Sequence, residues 1–153
     1  MKYELTSETK KIGAVVLYRI KALRSVGDCK KGDLGGWIGK ESNLSQEGNA
    51  WVSGDAWVFG DAQVFGYAQV SGYAQVSGNA QVYGNARVSG DAQVFGRAQV
   101  FGDAWVSGDA RVSGDARVYG NTRVYGDAPT PNVTESDYVS IGGKKYRLVE
   151  VKD

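Results

Sequence analysis

The chain contains no histidine, a single cysteine (Cys29) and two prolines among 153 residues. Without an imidazole there is no histidine base, no histidine-held zinc and no pH sensor near neutrality, which excludes most zinc hydrolase and histidine-dependent transferase mechanisms. The lone thiol cannot close an intramolecular disulfide. The longest apolar run, Ala14 to Tyr18, falls far short of the roughly 20 residues that cross a bilayer. No amino-terminal apolar core of signal-peptide length precedes a small-residue cleavage site. These absences predict a soluble cytoplasmic protein with no membrane segment, no metal and no cofactor.

Leucine and isoleucine are also scarce, at 6 and 4 against 20 valines and 15 alanines, which favours β structure over helix packing. Glycine, by contrast, is abundant. There are 22, and nearly all of the excess is periodic. From Gly48 to Asp127 the chain repeats a six-residue phrase: glycine, usually Asp or Asn, then Ala-x-Val-x. Glycine fills all fourteen positions from Gly48 to Gly126 and valine all thirteen from Val52 to Val124; Thr122 is the one exception among the alanines. A fixed short period is the signature of a repeat architecture.

Each phrase has a simple local reading. Ala-x-Val-x alternates with the period of a strand, so Ala and Val share one side and the intervening residues the other. Glycine tolerates positive φ, and Asp or Asn can bond its own nearby backbone, so the chain turns after each short strand. Two-residue corners could make hairpins, but a meander of four-residue strands would leave two faces hard to cover. Coiling in one direction buries every Ala and Val in a narrow shared interior, with each backbone paired to the coils above and below. The expected fold is all-β, a parallel β-helix of about five coils.

Val52-Ser53-Gly54-Asp55-Ala56-Trp57 resembles the phrase of the left-handed β-helix hexapeptide-repeat superfamily, strongly over 48–128 and more weakly back to Leu34. The resemblance implies a left-handed helix of triangular coils, 18 residues each, and a homotrimer. The glycine here is third in the phrase, whereas the superfamily commonly has it second. Asp33-Leu-Gly-Gly-Trp-Ile ahead of Gly-Asn-Ala-Trp-Val is similar to short bacterial and phage β-helix proteins, which implies a mobile-element origin.

If three phrases close a coil, residues eighteen apart stack at the roughly 4.8 Å spacing of neighbouring strands and the outward residues sort into three walls. The first carries Trp51, Gln69, Arg87, Trp105 and Arg123 beside Ser53, Ser71, Ser89 and Ser107. The second carries Trp57, Gln75, Gln93 and Arg111 beside Phe59, Ser77, Phe95 and Ser113. On the third, Gln63, Gln81, Gln99 and Arg117 flank an unbroken aromatic column, Phe65, Tyr83, Phe101 and Tyr119. Contiguous apolar surface marks a contact, so this column is the candidate interface; equally, stacked aromatics stabilise a sheet without any partner. Arg87, Trp105 and Arg123 form a candidate contact for a small anionic or planar ligand, or plain cation–π packing. Asp55, Asp91, Asp109 and Asp127 also align, but corner chemistry accounts for them better than a cation site does.

The nonrepeating ends should cap the coil, whose open edge would otherwise pair with other chains. Residues 1–33 carry a charge of +4 and form an N-terminal β cap, with Val16 to Val26 a strand exposing Val16, Tyr18, Ile20 and Ala22 to one side and paired with Lys2 to Thr6 or with the C-terminal segment. A helix through Val16, Ile20 and Leu23 is the alternative. Dispersed charge of this kind reads as a solvated face, not a nucleic-acid site. Residues 34–128 form the helix, with a degenerate first coil in which Leu34 takes a valine place and Ile38 and Leu44 take alanine places. Residues 129–137 are a linker, and 138–153 read as a β-hairpin around Gly142-Gly143-Lys144.

The superfamily includes acyltransferases and gamma-class carbonic anhydrases. Their histidine roles cannot be carried onto any position here, and Asp103 or Asp109 as a carboxylate base has no spacing to support it. The expectation is therefore a nonenzymatic, self-associating binding protein, phage- or prophage-encoded, acting on a host protein or sequestering a small signalling molecule. The alternative is an acyltransferase-like protein that binds an acyl-CoA or nucleotide ligand without a histidine base. Ice binding would need threonine arrays that the serine column lacks.

Overall fold

A computed structural model describes residues 1–125, 138–141, 144–147 and 149–150 of the chain. From Trp51 to Tyr125 each phrase contributes one short strand, and within this span each strand pairs in parallel with the repeat strands lying eighteen residues before or after it. Trp51, Gln69, Arg87, Trp105 and Arg123 are in register on one wall. Trp57, Gln75, Gln93 and Arg111 align on the second, and Gln63, Gln81, Gln99 and Arg117 on the third. The result is a β-solenoid of about five stacked coils.

Backbone pairing and side-chain size together explain this coil. Gln69 N–H donates to Ala86 O at 3.0 Å and Ser71 N–H to Val88 O at 2.9 Å, and the same offset recurs up every wall. Every valine from Val52 to Val124 is buried, and so is every alanine of the repeat from Ala50 to Ala110. Ala116, in the top coil, is only partly buried. Hydrophobic burial thus runs along an axis, not around a centre, and each coil depends on its two neighbours.

The amino-terminal residues form an antiparallel hairpin. Strand β1 (Tyr3–Ile12) pairs with β2 (Val15–Ala22), Tyr3 opposite Ala22 and Leu5 opposite Ile20, with a bulge between Leu5 and Thr9. Strand β2 then pairs antiparallel with β3 (Leu34–Ile38), which lies parallel beneath Trp57–Val58 and so extends the second wall downwards. The expected pairing of residues 2–6 with the second strand is present, and the helical alternative is not. The strand stops at Ala22 rather than at Val26, because Val26 bridges back to Cys29 in a tight turn with hydrogen bonds of 2.9 Å both ways. Ile20 and Ala22 enter the core on the expected side, while Val16 and Tyr18 are only half-buried. Leu17, on the opposite side, is fully buried.

The degenerate coil departs from the expected register. Ile38 lies opposite Val58 and Leu44 opposite Val64, so both occupy valine places, two residues out of phase with the eighteen-residue offset. Leu34, expected to point inward, is 51% exposed. Phase is restored between Leu44 and Ala50, where five residues span a corner that takes three between Val64 and Ala68. Large apolar residues on this coil do plug the base, but from the valine positions, where the coil interior has room for them.

At the other end, Val149–Glu150 runs antiparallel on Thr122–Tyr125, adding a strand to the top of the first wall. Tyr138–Ile141 and Lys144–Arg147 pair antiparallel as the expected hairpin. The linker 129–137 and the end of the repeat, 126–128, lie outside the described residues.

Candidate functional site

The third wall brings Phe65, Tyr83, Phe101 and Tyr119 into one column. Successive ring centroids are 4.8, 5.0 and 5.4 Å apart and the planes tilt by 3°, 3° and 14°. Strand spacing sets these distances, and parallel strands in register set the parallel planes. Each adjacent pair contributes about 0.5–1.5 kcal/mol beyond area burial. Stacking covers the ring faces and leaves their edges outward: the lower three rings are half-buried and Tyr119 is 58% exposed. The wall is therefore stable in itself and still presents a continuous line of aromatic edges beside a row of glutamines.

The first wall gathers Arg87, Trp105 and Arg123. The two guanidinium carbons lie 5.3 and 4.3 Å from the Trp105 ring, one from the coil below and one from the coil above. The Arg123 Nε is buried without a hydrogen-bond partner among the described residues, which marks this guanidinium as packed on the indole. A similar cluster, not foreseen from sequence, lies at the foot of the second wall. Lys10 Nζ sits 5.4 and 5.2 Å from the Trp37 and Trp57 rings, and Arg19 lies 5.4 Å from Trp37. These cations come from the hairpin, so its basic charge is partly spent on covering indoles.

Sequence reasoning missed the polar plug beneath the bottom coil. Lys2 is wholly buried, with Nζ donating to Ala50 O at 2.7 Å and Glu47 O at 3.3 Å. Tyr3 is equally buried, the single proton of its hydroxyl shared between two carbonyl acceptors, Glu41 O at 2.8 Å and Leu44 O at 2.5 Å. Gln46 accepts from the Lys2 and Tyr3 backbone N–H groups and donates back to Tyr3 O. The two extra residues of the corner are what carry Gln46 there. A lysine and a tyrosine second and third in the chain carry no spacing signal, so only the coordinates reveal them.

Burial, with Arg24 nearby, lowers the Lys2 ammonium to about 8 from its usual 10.5. Between about pH 8 and 10.5 the unfolded chain holds a proton that the folded chain has released, so deprotonation favours folding. Lys2 should therefore make stability rise through that window, and its charging cost should be fully present below pH 8. Burial and Glu41 raise the Tyr3 phenol, which acts in the opposite sense above pH 10. Urea midpoints at pH 7 and pH 9.5 should thus differ less in Lys2→Met than in the parent; an equal difference would refute the assignment.

Two cavities adjoin the base. One, about 250 Å³, is lined by Val26, Asp28, Cys29, Asn49, Trp51 and Gln69. Burial and the neighbouring Asp33 push the Cys29 thiol up, which leaves it protonated and a poor nucleophile at neutral pH. The other, about 370 Å³, lies at the foot of the third wall, lined by Ser42, Ser45, Gln63, Val64 and Phe65. The aspartates of the corner column, Asp55, Asp91 and Asp109, are exposed. Among the described residues no three acidic or thiol side chains converge as a metal site would require, and no helix is long and apolar enough to cross a membrane.

Fold and walls together define a β-solenoid repeat protein. Residues 80–96, 98–114 and 110–126 match a family model described as YdcK Beta solenoid repeat, less than a third of the chain and all within its upper coils. No curated protein matches the chain.

Proposed function

We propose that this chain is a nonenzymatic, self-associating interaction protein of the left-handed hexapeptide-repeat β-helix superfamily, of bacterial or phage origin. Its third wall meets a second copy, and three copies close the assembly. The unbroken column from Phe65 to Tyr119 carries this reading: one aromatic edge per coil, at a spacing a second rigid column can match, with a glutamine row alongside to hydrogen-bond across. A host protein or small anionic signalling molecule then binds in the clefts between copies, with Arg87, Trp105 and Arg123 as the contact. The absence of histidine supports a binding role over an acyl-transfer one.

Light scattering tests the assembly. The parent should have several times the 16.4 kDa mass of one chain, and Phe101→Asp should fall to that mass with its strand circular dichroism intact. A variant that keeps the parent mass excludes the column as the interface. Titration with acyl-CoA separates the acyltransferase-like alternative, since turnover there would contradict a purely binding role.

A further inference from the structure

We infer that the cavity at the foot of the third wall binds a small, uncharged, planar heteroaromatic molecule of the nucleobase or nucleoside class. Register carries the inference. Leu44 takes the valine place beneath Val64, so Ser45 takes the ring place beneath Phe65. Its N–H donates to Val64 O at 3.0 Å, as the Phe65 N–H does to Val82 O at 3.1 Å. Every ring above Phe65 has an aromatic neighbour below it, 4.8 to 5.4 Å away. Phe65 has a serine there, and the missing ring is replaced by the 370 Å³ cavity.

That cavity has the size and chemistry of a small-molecule site. Its volume falls within the roughly 300–1,000 Å³ usual for ligand pockets, and it is a groove open to solvent, so a ligand would stack on its floor with one side exposed. Phe65 offers a ring face. Polar groups stand around it: the exposed Ser42 hydroxyl and Gln63 amide, and the Ser45 hydroxyl, which accepts from Glu47 N–H at 3.1 Å and keeps its own proton to donate. An amide can pair in bidentate fashion with the donor and acceptor edge of adenine, so Gln63 selects that base.

The electrostatics disfavour a phosphorylated form. None of the lining residues is charged. The nearby cation, Lys40, is held by Asp61 at 2.8 Å, and Glu41 and Glu47 flank Ser42 and Ser45 in the chain. A phosphate here would find no cation in the lining and no free counter-charge in Lys40.

The site shares Phe65 with the proposed assembly wall, and the test keeps the two apart. Saturation-transfer NMR and calorimetry with adenine, adenosine, ribose and adenosine monophosphate should show binding of the first two, none of ribose and weaker binding of the monophosphate. Losing the stacking face in Phe65→Leu should weaken adenosine about tenfold. Gln63→Ala, at an exposed position, should remove the preference for adenine over other bases. Ser45→Trp, which puts a ring into the space, should abolish binding, keep the strand circular dichroism and raise the melting temperature. Phe101→Asp should bind adenosine as the parent does, whatever its mass. No heterocycle binding at millimolar concentration, or undiminished binding in Ser45→Trp, overturns the inference. So does a drop in mass on Ser45→Trp, which would make the natural occupant a ring from a second copy.

Discussion

Replacing Asn43 by leucine should cost roughly 3 to 5 kcal/mol of stability, the largest effect expected of any single polar residue among those described. Asn43 lies wholly buried in a 3₁₀ turn, Glu41–Asn43, of the degenerate coil. Its Oδ1 accepts from Gly39 N–H at 3.0 Å and Lys40 N–H at 2.8 Å, while Nδ2 donates to Gly60 O at 3.1 Å and Ala62 O at 2.9 Å. One side-chain amide thus does between two coils what a strand does elsewhere. Gly39 N–H has a second acceptor in Val58 O, but the other three groups would lose their partners. Leucine matches the branching of Asn43 at somewhat greater volume and supplies none of the four bonds. The exposed neighbour Ser42, changed to alanine, should stay within about 0.5 kcal/mol of the parent. Urea denaturation measures the cost, and hydrogen exchange locates it: amides of residues 39–45 and 62–66 should lose protection first, because coils couple only to their neighbours. Asn43→Leu as stable as Ser42→Ala would show that solvent satisfies these groups and that the plug is dispensable.

Asn43 also marks the boundary of what could be read from the amino-acid order. Above Ala50 the reading needs only a fixed six-residue phrase and three phrases to a coil, and those two statements place Phe65 under Tyr83 and Arg87 under Trp105 without any coordinates. Below Ala50 the same arithmetic fails. Two additional residues in one corner shift Ile38 and Leu44 from alanine to valine places and turn Leu34 outward. Hydrophobicity alone cannot detect such a slip, since both inward places accept an aliphatic side chain. A signal was nonetheless present. Ile38 and Leu44 are larger than alanine, and the alanine place tolerates only a small residue where the coil is narrow. Lys2, Tyr3 and Gln46 gave no such sign, because their role depends on contacts 38 or more residues away in the chain. The half-burial of the ring column follows from plane-to-plane stacking, which register alone does not specify.

Gly96→Ala and Gly114→Ala make a matched pair whose difference isolates the close approach of successive corners. Both glycines are left-handed, with φ of +68° and +61°, so alanine at either should cost about 1–2 kcal/mol for backbone strain. Among the described residues, only Gly96 of the two has a coil packed on it. A Cβ there would lie 2.8 Å from Gly114 N, 3.2 Å from its O and 3.3 Å from its Cα, whereas no described atom comes within 4 Å of one built on Gly114. The obstacle is backbone, so no rotamer change relieves it. The coils must separate, which weakens the 2.8 Å bond from Arg97 N–H to Gly114 O and loosens the valines between them. Gly96→Ala should therefore cost at least about 2 kcal/mol more than Gly114→Ala, as overpacking in a rigid interior does. Exchange should quicken on both sides of residue 96 but only locally around residue 114. Equal costs would mean that positive φ alone keeps glycine at every corner, and that the coils are free to breathe; a large difference would mean that the vertical spacing of the backbone selects glycine as strongly as the turn does.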